Sequence, residues 1–359
     1  MEDTPSSRLI PDLPDEISVQ IIARVPRLHH LSLCHVSRSW RSLLLTRLLF
    51  TLRSSLHCTE PMLCLNIRTQ RNQSPWLVLN QGRCDTNSLP SSPLPTVGSA
   101  CVTAGPFIFV LGGSLSASGV PSNVVQILDL RIGGQWFLGP RMSTAREFAA
   151  SSFLNGRIYA IGGCLPSLEA WAESLDPFDR NSQWVPIDSP VHMRNKWMHG
   201  CVVLSGQVLA MADRGGVAYD PGQSTDSCSA WGPVPKRLDL GWKGRATVVN
   251  GILYSYDYMG KIKGYDAGID KWRTVLGVDK HLPKFLCGAT LANLHGILCV
   301  IWEQRKNERN RKEMVVDWAG IRVTDLGSEG LHGSILWWET AALGVPYGSA
   351  IAHCVVAEF

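Results

Sequence analysis

The sequence predicts a multidomain α + all-β protein: a small three-helix segment at residues 8–52, then a six-bladed β-propeller over residues 60–359 closed by its last strand. Three observations carry this expectation. Apolar residues recur at helical spacing only near the start of the chain. A hairpin-like unit repeats five times from Ala100 onward. The chain also holds 33 glycines and 21 prolines while 45% of its residues remain apolar. Many turns in a chain with ample core material mean many short strands.

The helical segment begins with "LIPDLPDEISVQIIARVP", residues 9–26, where two Pro-containing turns precede Ile17, Ile21 and Val25 at helical spacing. The pattern stops at Pro26, which cannot continue a helix. Next, "RLHHLSLCHV" supplies Leu28, Leu31, Leu33 and Val36, and "SRSWRSLLLTRLLF" supplies Trp40, Leu43, Leu44 and Leu48. A unit of about 40 residues buries too little surface to stand alone without a staple or a partner. No staple is visible, so a partner is the physical inference.

The repeat fixes the rest. An apolar strand, a turn closing on glycine, and a second apolar strand recur at Gly105, Gly156, Gly206, Gly251 and Gly296, spaced 45 to 51 residues apart. Asn-Gly and Ser-Gly turns between such runs mark tight β-hairpins, because glycine accepts positive φ without steric cost. An aspartate strand follows each hairpin, at Asp129, Asp176, Asp220, Asp266 and Asp325. A tryptophan comes next: Trp136, Trp184, Trp231, Trp272, and Trp337 or Trp338. Diglycines end the second strand at 112–113, 162–163 and 215–216. Four landmarks in step at this period match blades of the kelch type.

Five units leave two remnants, "MLCLNIRTQRNQSPWLVLN" at 62–80 and "AIAHCVVAEF" at the end. A propeller must close, since open sheet edges are a liability. The economical solution is a blade shared between 62–80 and 349–359, beside blades at 99–140, 148–187, 198–235, 244–276 and 286–340. The insert 303–317, "EQRKNERNRKEMVVD", reads as a solvated loop, with a localisation signal or a patch for an acidic partner as the minority reading.

Composition excludes several classes. A net charge of +4 is too small for a dedicated nucleic-acid binder. No apolar run is long enough to span a membrane, and "MEDTPSSRLI" has no apolar core of a secretory signal. The eleven cysteines include no Cys-x-x-Cys pair, and most sit in apolar runs, so they read as reduced core residues of the cytoplasm or nucleus. No cofactor and no metal is expected.

At the helical segment the sequence resembles a known family. Leu13-Pro14, Ile17, the Ile21-Ile22 pair, Val25-Pro26, Leu31, Val36-Ser37 and Trp40 followed by Leu43-Leu44 look like an F-box. The whole chain is similar to plant F-box/kelch-repeat proteins of the Skp-interacting-partner kind, in "MADRGGVAYDP" and "VPYGSAIAHCVVAEF" as well as in the order of its parts. The resemblance implies a substrate-recognition subunit of an SCF-type cullin–RING ubiquitin ligase, itself not an enzyme. Its F-box would dock a Skp-family adaptor through Leu13, Pro14, Ile17, Ile21, Leu31, Val36 and Trp40. Trp40 serves either that surface or the interior of the helical segment. The propeller would hold a protein substrate, with no nucleic-acid or membrane partner.

No residue constellation calls for catalysis. His29-His30, His35 and His57 lack acidic or cysteine partners at ligand spacing, and no Gly-x-Ser-x-Gly elbow occurs. Glu169 and Glu173 need only be solvated. Propellers do host enzymes, so a kelch scaffold or enzyme outside any ligase is the alternative. Substrate contact is expected from the loops leading into each inner strand, at Arg146, Arg194, Lys196, Trp197, Trp242, Lys243, Arg245 and Lys284. These aromatics could equally pack between blades.

Overall fold

The computed structural model describes residues 8–69, 74–79, 87–94, 96–115, 119–131, 133–194, 196, 198–213, 215–223, 230–257, 259–283, 289–308, 311–327 and 330–359. The helical segment contains α1 (Asp15–Ala23), α2 (His30–Leu33), α3 (Arg38–Leu44) and α4 (Arg47–Ser55), with a 3-10 turn at Arg27–His29. That is four helices where three were expected. The run "SRSWRSLLLTRLLF" divides because two hydroxyl residues each cap a new helix. Ser37 Oγ accepts the Trp40 N–H at 3.1 Å, and Thr46 Oγ1 accepts the Leu49 N–H at 3.3 Å. Ile22, Ala23, Leu43, Leu44 and Leu49 form its small core.

Four sheets of four antiparallel strands follow the repeat. The first comprises Ala100–Ala104, Phe107–Leu111, Val125–Asp129 and Gln135–Leu138. The second comprises Ala150–Leu154, Arg157–Ile161, Ala172–Leu175 and Val185–Ile187. Met198–Leu204, Gln207–Ala212, Val217–Tyr219 and Trp231–Pro233 make the third. The closing sheet joins Ala350–Glu358 to Pro61–Arg68, Trp76–Leu79 and Asn87–Leu89.

Where six separate blades were expected, only these four stand apart. Eight further strands, within Ala246–Leu276 and Thr290–Pro346, form one sheet, and Thr96–Val97 with Ser114–Leu115 make a two-stranded one. The two halves of the eight-stranded sheet meet through a parallel pairing of Val275 with Leu331 and Leu276 with His332. Glycine permits this seam: a Cβ on Gly277 would lie 2.7 Å from the Gly333 carbonyl oxygen, and one on Gly333 would lie 2.8 Å from Val278.

The inner strands succeed one another around a central channel, from Ala100–Ala104 through those beginning at Ala150, Met198, Ala246 and Thr290 to Ala350–Glu358, which adjoins the first. Each hairpin turn lies at the far end of its inner strand. Asn155-Gly156 and Asn250-Gly251 take φ of 50° and 77°, and 51° and 78°, the geometry of a type I′ turn. The diglycine has a different reason. A Cβ on Gly112 would sit 2.4 Å from the Arg146 carbonyl oxygen, so only glycine lets the strand leading into the next sheet cross so closely.

The repeated tryptophan is a staple between neighbours. Trp136, Trp184, Trp231 and Trp272 donate their indole N–H groups to the carbonyls of Pro90, Pro140, Asp188 and Arg237, at 2.8, 3.0, 2.8 and 2.9 Å. Each acceptor lies in the segment leaving the preceding sheet's outer strand. Apolar clusters fill the spaces between sheets, such as Phe109, Leu111 and Ile127 against Ile158, Ala160 and Trp184.

The insert 303–317 departs from the solvated loop expected of it. Strands Ile297–Glu308 and Arg311–Asp325 pair across it, with Glu303 opposite Val316 and Glu308 opposite Arg311. The apolar half of "EMVVD" explains the difference, because Met314 and Val316 bury against Leu63 and Leu65 of the closing sheet.

The staple makes a prediction. Trp231→Phe keeps an aromatic side chain but removes the indole N–H bonded to the Asp188 carbonyl and part of the packed volume, and should cost about 1–2 kcal/mol in chemical denaturation. Trp231→Ala, which also empties a site 6% exposed, should cost about 3–5 kcal/mol.

Candidate functional site

The helical segment is fastened to the propeller by two buried or half-buried arginines. Arg53, on α4 and 2% exposed, donates Nη1 hydrogen bonds to the Ala23 and Val25 carbonyls at 2.6 and 2.8 Å. Its Nε reaches the Phe359 main-chain oxygen at 3.1 Å, and Glu60 lies 3.5 Å from its Nη2. Glu60 also accepts the Arg27 N–H at 2.7 Å, and the Arg27 guanidinium stacks 4.1 Å from the Phe359 ring centroid. Farther along, Arg131 donates to the Leu45 carbonyl, and Phe50 packs on the Gly105 hairpin turn and stacks against Phe178. A cleft of about 730 Å³ remains beside these rings, lined by Arg47, Phe107 and Phe137 among others.

The opposite surface of the segment is uncovered. Ile17 and Ile21, four residues apart on one face of α1, are each 44% exposed. Leu31 is 54% exposed, Val36 60%, and Leu28, a position outside the predicted set, 67%. Pro14 is exposed and Leu13 half-buried. Trp40 is half-buried against the helical core and donates its indole N–H to the Leu9 carbonyl at 2.6 Å, which gives it an internal packing role. His30 is buried, its Nε2 lying 3.1 Å from the Val25 carbonyl oxygen, and burial lowers its pKa.

The propeller residues predicted to touch substrate need correction. Arg146 is fully buried and pairs with fully buried Glu173 at 2.9 Å. Its Nη1 also donates to the Gly162 and Trp171 carbonyls, both at 2.7 Å, while the other Glu173 oxygen accepts the Ser143 N–H at 2.9 Å. Every charge in that group is satisfied internally. Glu173, expected to be solvated, is therefore a buried strand residue, although Glu169 is exposed. Arg194 is 9% exposed and spends its guanidinium on the Ser189 and Leu168 carbonyls. Trp242 is 1% exposed, with its N–H on the Gly244 carbonyl at 2.9 Å. These three hold the propeller together and are unavailable to a partner. Lys196 is half-buried, with its Nζ 2.9 Å from the Gly215 carbonyl oxygen and its pKa lowered by burial. Lys243 is half-buried, while Trp197 and Lys284 lie outside the described residues.

What the inner strands do gather is a cavity of about 460 Å³ at the channel mouth, where they begin. Arg68, Ser99, Arg245, Thr290, His353 and Cys354 contribute to its lining. His353 shares a 3.1 Å hydrogen bond with Ser99 Oγ and lies nearly parallel to the Trp76 ring, 14° off plane. Burial first, then the charges of Arg245 and Arg68, pull its pKa from 6.5 to about 3. Sequence reading missed Arg68 and His353. The available signal was strand alternation in "MLCLNIR" and "AIAHCVV", whose polar residues interrupt otherwise apolar strands. Among the described residues, no group of three or more His, Cys, Asp or Glu could hold a metal ion.

An exposed helical surface pinned to one end of a β-propeller defines a two-part binding protein, and comparison with known proteins places it. The F-box domain pattern matches residues 10–52, and the FKB95, Kelch-repeats domain matches residues 62–341. One F-box/kelch-repeat protein of Arabidopsis thaliana is 30% identical, over 96% of this chain and 93% of its own length. A second is 30% identical over 84% of this chain and 80% of its own. The solved structure of YjhT matches with a TM-score of 0.52 at 12% identity, covering 76% of this chain and 94% of that one, a likeness of fold alone. The chain belongs to the plant F-box/kelch-repeat proteins.

Two outcomes follow from the corrected geometry. Arg146→Ala leaves Glu173 charged and buried without its partner, so it should destabilise the propeller by about 3–5 kcal/mol, read by denaturant midpoint. His353 gives a pH dependence of known sign. The unfolded chain takes up a proton near pH 6.5 that the folded imidazole refuses until about 3. Stability should therefore fall as pH drops through that window, and His353→Gln should show a flatter profile in the same titration.

Proposed function

We propose that this chain is the substrate-recognition subunit of an SCF-type cullin–RING ubiquitin ligase, and is itself non-catalytic. The F-box docks a Skp-type adaptor through Ile17, Ile21, Leu31 and Val36, with Leu13 and Pro14 beside them, while the propeller holds a protein for ubiquitination. The observation that carries this is the uncovered apolar surface of α1 and the residues after it, on a segment whose other side is already fixed to the propeller. Exposed aliphatic side chains at this density mark a protein interface. Such anchors supply most of the binding energy in helix-mediated docking.

The propeller is read as six-bladed, the eight-stranded sheet counting as two blades joined at one seam. Support comes from the succession of six inner strands about the channel, each heading a run of four. The cytoplasm or nucleus is the proposed compartment, as read from cysteines set in apolar runs of the sequence.

Co-purification with a Skp-type adaptor tests the assignment. Ile17→Glu/Ile21→Glu places charges on an already exposed face, so the fold should survive while adaptor affinity drops by about 2–4 kcal/mol. Unchanged adaptor capture by the double variant, or by a chain lacking the F-box, would overturn the proposal.

A further inference from the structure

Two ends of the channel differ in what they meet. The hairpin end carries Gly105, against which Phe50 of the F-box packs, and the Gly105 carbonyl accepts the Glu358 N–H. The other end, where Ala100, Ala150, Ala246 and Ala350 begin the inner strands, holds the 460 Å³ cavity. The mouth therefore opens away from the F-box. Its volume falls within the range of roughly 300–1,000 Å³ typical of ligand pockets.

The electrostatics of the mouth are one-sided. Arg68 is exposed and Arg245 half-buried, and no aspartate or glutamate is among the described residues that line the cavity. Arg245 is held in place by its Nη2, which donates to the Ile351 and Ala352 carbonyls at 2.9 and 3.0 Å. Its Nη1 is buried, with no hydrogen-bond partner among the described residues. Anchored in this way, the Arg245 guanidinium gives the mouth a fixed positive charge, and exposed Arg68 supplies the cation that can contact an oxyanion directly. Two carboxylates lie beside the mouth without lining it: Glu303 accepts the Ile351 N–H at 2.7 Å, and Glu147, next to Phe148, accepts the Ser114 hydroxyl. His353 stays neutral and adds no charge of its own.

The walls around the two cations are strand backbone and small side chains: Ser99, Ala100, Ala150, Ser151, Ala246 and Ala352. The exposed ring of Phe148 also lines the cavity, so the oligonucleotide arm of the test below separates base stacking from carboxylate binding. On one side the wall rises. Thr290, at the mouth, pairs with Ile301, and the strand runs on to Glu308 beyond it.

We propose that the channel mouth, through Arg68 and Arg245, is the site where the propeller takes an acidic segment of its protein substrate. The site rests on the recognition-subunit reading for its biological meaning, but not for its chemistry. The cations are fixed at the end distal to the F-box, so an acidic peptide can be held while the adaptor surface is occupied.

The test is fluorescence polarisation of the full-length chain with labelled octaglutamate, octaglutamine and an octathymidylate. Octaglutamate should bind about tenfold or more tightly than octaglutamine, and Arg68→Glu should remove about tenfold of that affinity. Arg245→Gln should weaken it in the same sense. Lys236→Glu, an exposed charge reversal away from the cavity, should leave it unchanged. Equal binding of the two peptides, equal losses in Arg68→Glu and Lys236→Glu, or tighter binding of the oligonucleotide would each overturn the assignment. Adaptor capture is measured on the same preparations. Its loss with the peptide pattern intact would sink the ligase reading alone, and the reverse outcome would sink only the mouth.

Discussion

The pairing of Ala350–Glu358 with Pro61–Arg68 is the constraint on which the molecule depends. It closes the ring, and it does so with an inner strand, so both faces of that strand meet protein. It places Arg68 opposite Ala350 at the mouth and Pro61 opposite Glu358 at the other end. Through the first, a cation reaches the channel. Through the second, Phe359 arrives beneath Arg27 and Arg53, and the F-box acquires its footing. One register thus sets the channel lining and the attachment of the helices together. A slip of one residue would exchange the faces of the strand and break both.

The attachment depends on buried cations being useful when fully partnered. Arg53 and Arg146 sit in interiors where an unpaired charge would cost several kcal/mol, and each is surrounded by carbonyl oxygens as well as a carboxylate. Main-chain oxygens at the ends of helices and strands need donors wherever the chain turns away from its ladder. A guanidinium, with five N–H groups on one rigid plane, can serve several of them at once. Arg53 and Arg146 act in this way as connectors between turns, whereas Arg68 is left facing outward.

That distinction explains what the sequence could disclose. Period-bearing features were legible: hairpin turns at Asn155-Gly156 and Asn250-Gly251, aspartate strands, and tryptophans whose regular spacing reflects a repeated bond to the neighbouring sheet. The F-box was legible because its aliphatic residues exceeded what its own core could bury, and Ile17, Ile21, Leu31 and Val36 are indeed left outside. The propeller's cations were not. Arg146 and Arg68 have the same side chain, and only their distance from carbonyls in other repeats separates a structural bond from an open mouth. The extended pairing at 303–317 was hidden for a similar reason, since its apolar half is covered by strands remote in sequence.

Closure by the last strand also gives the protein a history. During synthesis Pro61–Arg68 emerges early, while its partner emerges after every other repeat. At about 5–20 residues per second, that strand waits roughly a quarter of a minute to a minute with one edge unpaired. Until then Arg53 lacks its Phe359 acceptor, and the helices have no finished surface to rest on. A chain interrupted before Ala350 would carry an F-box without its proper seat. Completion of the ring is thereby written into the posture of the helices, and a nascent molecule differs from a finished one where an adaptor would first meet it.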